Sequence, residues 1–123
     1  MTSSQRSAII IEDDAKQAEI FSQAISLAGF SVQVISDGAE ALAALSTKIP
    51  DLVLLDLHLP HVSGDKLLEI IRTTPQLKNT KVIITTADAE KAFLLNETSD
   101  LVLIKPISFN QLRELAGRLF QGS

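Results

Sequence analysis

The chain has 123 residues, 46% of them apolar, with five phenylalanines and neither tryptophan nor tyrosine. That is enough for one ordinary domain with its own core. The absence of cysteine excludes disulfides, zinc-thiolate sites and thiol catalysis, and a net charge of −4 with scattered Lys and Arg argues against a surface that coats nucleic acid. No apolar run is long enough to span a bilayer, and the start lacks the apolar stretch of a signal peptide, so a cytoplasmic location is expected.

Five short apolar runs alternate with longer amphipathic stretches. Ala8-Ile9-Ile10-Ile11 leads into Glu12-Asp13-Asp14. Asp14 suits a helix N-cap, Ala18, Phe21, Ile25 and Ala28 recur at helical spacing, and Gly29 supplies a stop. Phe30–Ile35 reads as the second strand. Residues 38 to 46 read as a helix with Ala39, Leu42, Ala43 and Leu45 as its apolar positions, ended before Ile49-Pro50. Leu52–Leu55 leads into Asp56. After Gly64 the stripe Leu67, Leu68 and Ile71 marks a helix that stops at Pro75. Lys81–Ile84 leads into Thr85-Thr86, and a weaker helix covers roughly 88 to 96. Leu101–Ile104 leads into Lys105-Pro106. A last helix starts near Ser108, with Phe109, Leu112, Leu115, Ala116 and Leu119 on one face. The phenylalanines at helical spacing read as core.

Unalternated apolar runs of this length suit strands buried on both faces. Five (βα) units then imply an α/β three-layer sandwich around a parallel sheet, with right-handed crossovers. The chain is expected to be one domain over residues 1–123, with a core of about 7–120 and no output module.

In open α/β sheets the chemistry lies beyond the carboxyl ends of the strands, near the switch in strand order. In a sheet of order 2-1-3-4-5 the first and third strands flank that switch, which would make Glu12, Asp13 and Asp56 neighbours. Three crowded carboxylates repel one another, and a divalent cation relieves them. Magnesium suits hard oxygen ligands, with manganese as a substitute. A carboxylate can also act as a nucleophile and form an aspartyl-phosphate. Phosphoryl transfer then asks mainly for positioning and positive charge. Asp56, Thr86 and Lys105 are of the required types.

The ordered set Glu12-Asp13, Asp56, Gly64, Thr86-Ala87 and Lys105-Pro106, with 43 residues from Asp13 to Asp56 and 30 from Asp56 to Thr86, resembles the receiver domain of two-component response regulators along essentially the whole chain. The resemblance implies a flavodoxin-like fold, with Asp56 as acceptor of a phosphoryl group from a sensor histidine kinase or a histidine phosphotransfer protein. Asp13, Asp56 and the His58 backbone carbonyl would bind magnesium directly and Glu12 through water. Thr86 and Lys105 would bind the phosphoryl oxygens, and the Lys105-Pro106 peptide would be cis. Such a protein is not a metabolic enzyme. It catalyses only its own phosphorylation and dephosphorylation and signals to a downstream protein by contact, without touching nucleic acid or membrane itself.

Three features depart from the receiver pattern. Val102 stands where an aromatic switch residue is usual. The 19 residues from Thr86 to Lys105 are about one helical turn short. The loss falls on the fourth helix or its flanks, so dimerisation through that face is disfavoured and a monomer or weak dimer is expected. His58 and Asp88, two residues after Asp56 and Thr86, are candidates to tune the lifetime of the phosphorylated state. His58 and His61 otherwise read as solvent-facing. Two rival functions are a docking module that works without phosphorylation and a small magnesium-dependent phosphatase with an aspartyl nucleophile. Flavin binding is a weaker third.

Overall fold

The computed structural model describes residues 5–120. Five parallel strands lie in the order β2-β1-β3-β4-β5: β1 (Arg6–Ile11), β2 (Phe30–Ile35), β3 (Leu52–Asp56), β4 (Lys81–Thr86) and β5 (Leu101–Ile104). The connecting helices are α1 (Ala15–Leu27), α2 (Gly38–Leu45), α3 (Gly64–Thr73), α4 (Ala89–Leu95) and α5 (Phe109–Arg118). This is the α/β three-layer sandwich expected from the alternation of runs, in the strand order of the flavodoxin-like fold that the receiver resemblance implies.

Two apolar layers sandwich the sheet, because successive side chains of a strand point to opposite faces. On one face Ile9, Ile11, Val53, Leu55, Val82 and Ile84 meet Ala41 and Leu45 of α2 and Leu67, Leu68 and Ile71 of α3. On the other, Ala8, Ile10, Leu52, Leu54, Ile83 and Leu103 meet Phe21, Ala24 and Ile25 of α1 and Leu112 and Ala116 of α5. β3 is buried along its whole length, as its central place in the sheet demands.

The helix starts follow from polar caps. The side chains of Asp14, Asp37, Ser63, Asp88 and Ser108 each accept a backbone N–H from the first turn that follows, satisfying donors that a helix leaves orphaned. α1 stops at Gly29, whose φ of +106° lies in the region that disfavours any Cβ.

Some expectations need correction. On α2 the buried residues are Gly38, Ala41 and Leu45, while Ala39 and Ala43 are exposed and Leu42 is only partly covered. The helix is short and starts against the β3–α3 loop, so its inward face is set by that contact and not by its apolar composition. A Cβ on Gly38 would lie 2.0 Å from the Val62 carbonyl oxygen, so only glycine fits that contact. Phe21 and Phe30 are core, but Phe93 is 82% exposed on the short α4. Pro75 does more than end α3: it opens a 3-10 turn over Pro75–Leu77, which buries Leu77.

The shortened α4 region is pinned by a residue that the spacing did not flag. Arg72 of α3 donates from Nε to the Thr98 carbonyl (2.7 Å), from Nη1 to the Thr80 carbonyl (3.1 Å) and from Nη2 to Asp100 Oδ2 (2.9 Å). Asp100 Oδ2 also accepts the Val82 N–H at 2.7 Å. One guanidinium thus ties α3, the start of β4 and the α4–β5 link, using the fixed fork of donors that arginine alone offers.

Candidate functional site

The carboxyl ends of β1, β3 and β5 bring four of the predicted residues together. Glu12 follows β1 and is 2% exposed; Asp56 closes β3 and is 3% exposed. Asp13 beside them is exposed. Glu12, Asp13 and Asp56 each offer an oxygen within 4.8 Å of the others. Lys105 Nζ reaches in from the end of β5, 3.4 Å from Glu12 Oε1 and 3.5 Å from Asp56 Oδ2.

Local hydrogen bonds fix each group. Glu12 is anchored by its backbone N–H on the Ile35 carbonyl (3.0 Å), and its Oε2 accepts the Asp14 N–H at 3.1 Å. Asp14 itself caps α1 by accepting the Gln17 N–H at 2.9 Å, the structural role expected of it. Asp56 Oδ1 accepts the His58 N–H at 3.2 Å. The Lys105 N–H donates to the Thr86 carbonyl at 2.8 Å, and the Lys105-Pro106 peptide is cis, as expected.

Thr86 is fully buried, and its Oγ1 accepts the Asp88 N–H at 3.0 Å. Asp88 Oδ1 caps α4 on the N–H groups of Glu90 (3.0 Å) and Lys91 (3.2 Å). The His58 side chain is exposed at the rim of the site. Val102 is half-buried, lies in register with Ile84 and packs against the core layer of α2 and α3.

Gly64 lets the β3–α3 loop close against the site. A Cβ there would stand 2.5 Å from the Asp56 carbonyl oxygen and 2.6 Å from Leu57 Cα. The far side of the loop is held by His61, which has a positive φ of 71°. It is 70% exposed, as a solvent-facing residue should be, but it is not idle: its Nδ1 pairs with the Asp37 carboxylate. The Glu40 N–H and this pairing hold the Asp37 carboxyl below its usual range.

The electrostatics are those of a crowded acidic site. Burial pushes the Glu12 carboxyl up to about 7, and the neighbouring Asp56 charge adds to the shift. The Asp14 N–H and Lys105 oppose it without cancelling it. Two buried carboxylates and a third at the rim form a hard, oxygen-only donor set, which is what magnesium takes. A separate groove of about 500 Å³ lies between α3 and α4, lined among others by Leu68, Arg72, Leu95 and Thr98.

The family model of the response regulator receiver domain matches residues 8–116. The chain belongs to that family. Among its curated relatives, the DNA-binding response regulator MtrA of Mycobacterium tuberculosis is 31% identical over 104 residues, covering 85% of this chain and 46% of the relative. The phosphate regulon transcriptional regulatory protein PhoB of Rhizobium meliloti is 31% identical over 106 residues, covering 84% and 47%. The chain thus spans less than half the length of these relatives. It is also 29% identical over 120 residues to the sensor histidine kinase TmoS of Ectopseudomonas mendocina, covering 95% of this chain and 12% of that one.

Among solved structures, a CheY-like receiver domain from Methylobacillus flagellatus superposes with a TM-score of 0.80 at 31% identity, covering 94% of this chain and 99% of that one. The chemotaxis response regulator CheY4 of Vibrio cholerae superposes with a TM-score of 0.85, covering 95% and 100%; at 22% identity it speaks for the fold alone. Receiver domains pair with sensor histidine kinases in two-component signalling. No helix among the described residues is long and apolar enough to cross a membrane.

Proposed function

We propose that the chain is a phosphoacceptor receiver in which Asp56 takes a phosphoryl group from a sensor histidine kinase or a histidine phosphotransfer protein. The observation that carries the reading is the convergence of Glu12, Asp13 and Asp56 with Lys105 Nζ 3.5 Å from Asp56 Oδ2. Asp13, Asp56 and the His58 carbonyl would hold magnesium, with Glu12 acting through water. When bound, magnesium supplies the charge neutralisation that phosphoryl transfer requires.

An Asp56 carboxylate oxygen attacks phosphorus, the phosphorus–nitrogen bond to the donor imidazole breaks, and the nitrogen keeps the electron pair. The Lys105 ammonium lies where it can bond a phosphoryl oxygen. Water attack on phosphorus later returns the carboxylate and inorganic phosphate. The chain turns over only its own phosphoryl group and is no metabolic enzyme.

Signalling follows from a competition. For its hydroxyl to reach the phosphoryl group, Thr86 gives up the Asp88 N–H, and the start of α4 responds. The population shifts only as far as the new contacts favour the new state. His58 and Asp88 stand at the rim, suited to control how water reaches phosphorus. The signal passes to a downstream protein by contact.

A second reading, docking without phosphorylation, is favoured by Val102, which packs into the core in place of a switchable ring, and by the Arg72 clamp on the α4–β5 link. One experiment separates them. Incubation with a small-molecule phosphodonor and magnesium, followed by intact mass measurement, should show the gain of one alkali-labile phosphoryl group, abolished by a chelator. No gain in the presence of magnesium would favour docking.

A further inference from the structure

Four polar residues continue the layer that faces α1 and α5. Glu12, Asp56, Thr85 and Lys105 each stand two positions beyond a buried member of that layer: Ile10, Leu54, Ile83 and Leu103. Asp56 is in register with Thr85, and Thr85 with Leu103. By alternation, Thr85 shares the face of Asp56, while Thr86 falls on the face of Val82 and Ile84.

Lys105 reaches Asp56 and Glu12 from the end of β5, with β4 lying between. Neighbouring strands are about 4.8 Å apart, so the lysine side chain has to pass β4 to reach Asp56, and the β4 residue in register with Asp56 is Thr85. Thr85 is 1% exposed, and its Oγ1 has no hydrogen-bond partner. Among the described residues the other such atom is Asp65 Oδ1, part of a carboxylate whose Oδ2 already binds Lys91 at 2.8 Å. The lysine has capacity to spare. An ammonium carries three donors, and its contacts of 3.4 and 3.5 Å are long beside the roughly 2.7–2.9 Å of charge-assisted bonds.

We propose that Thr85 is a positioning residue for Lys105: its buried hydroxyl accepts a hydrogen bond from the Lys105 ammonium and holds it over Asp56. The hydroxyl hydrogen is left for an Asp56 carboxylate oxygen. Asp56, Glu12 and Thr85 together then form a three-point seat for the ammonium. The kinetic consequence rests on Asp56 being the phosphoacceptor; the seat itself does not.

Thr85→Val keeps the shape and removes the hydroxyl, and Thr85→Ser restores the hydroxyl in a smaller side chain. In the wild type and Thr85→Ser, the Lys105 ammonium should give a slowly exchanging ¹⁵N-coupled proton signal, absent or shifted to that of a solvent lysine in Thr85→Val. Phosphorylation by the small-molecule donor should slow about tenfold in Thr85→Val, as loss of one hydrogen bond to a charged group implies. It should recover in Thr85→Ser, with magnesium affinity unchanged throughout. An ammonium signal in Thr85→Val identical to the wild type overturns the proposal. So does a changed signal with an unchanged rate. If the wild type accepts no phosphoryl group, the functional reading fails while the ammonium signal still decides the seat.

Discussion

Asp56→Asn will take up no phosphoryl group from a small-molecule donor under conditions that label the wild type to completion, as intact mass measurement will show. The amide keeps the shape of the carboxylate and its acceptor for the His58 N–H, so the β3–α3 loop should stay in place. What disappears is the nucleophilic oxygen, and no neighbour can replace it. Glu12 is buried and engaged with the Asp14 N–H, and Asp13 lies at the exposed rim. A residual mass gain in Asp56→Asn, mapped to either, would move the acceptor and undo the assignment. The same substitution removes one of two adjacent buried negative charges, so the variant should be at least as heat-stable as the wild type in metal-free buffer.

Stability itself should carry the mark of Glu12. Its carboxyl is raised from 4.5 to about 7 in the folded protein. The folded state therefore binds this proton more tightly than the unfolded state does. The stability it confers is fully present below about pH 4.5 and lost as pH rises through about 7. The loss amounts to about 3 kcal/mol. Urea unfolding of wild type and Glu12→Gln across that window, in metal-free buffer, should give a difference that grows with pH in favour of the glutamine variant. Magnesium should flatten the wild-type curve by holding the ionised form. Parallel curves for the two proteins would show that Glu12 is not strained by its burial.

The convergence of the acidic residues and Lys105 was legible in the sequence because a parallel sheet aligns its strand ends. Once β1, β3 and β5 run parallel with β4 between β3 and β5, Glu12, Asp56 and Lys105 are brought to one edge, whatever the helices do, while Thr86 falls on the opposite face of β4. The cap at Asp14, the stop at Gly29 and the limits of α4 were equally readable, since each depends on a few adjacent residues. Partnerships across the fold were not. Nothing local distinguishes Arg72 from any arginine in the last turn of a helix, yet it fastens the link that the short α4 leaves. His61 pairs with Asp37 through a left-handed turn that no spacing rule marks. Which positions of the alanine-rich α2 turn inward was not readable, because a short helix takes its orientation from what it packs on, here the Val62 carbonyl against Gly38. Thr85 and Thr86 are indistinguishable as a sequence pair, and the pleat of β4 sends them to opposite faces.

That separation of the two hydroxyls also bears on how a switch would operate. Thr86 is committed to the Asp88 N–H at the start of α4, and Val102 fills the position from which an aromatic ring would report its movement. If the switch operates, the movement has to pass through Asp88 and α4 directly, against the restraint of Arg72. The most direct test is a crystal structure of the chain with magnesium and a beryllium trifluoride mimic of the phosphoryl group. The mimic should lie on Asp56, with Lys105 Nζ and Thr86 Oγ1 both bonded to its fluorines and the Asp88 N–H released. A mimic bound elsewhere, or one on Asp56 with Thr86 still holding the Asp88 N–H, would contradict the account of a phosphorylation switch.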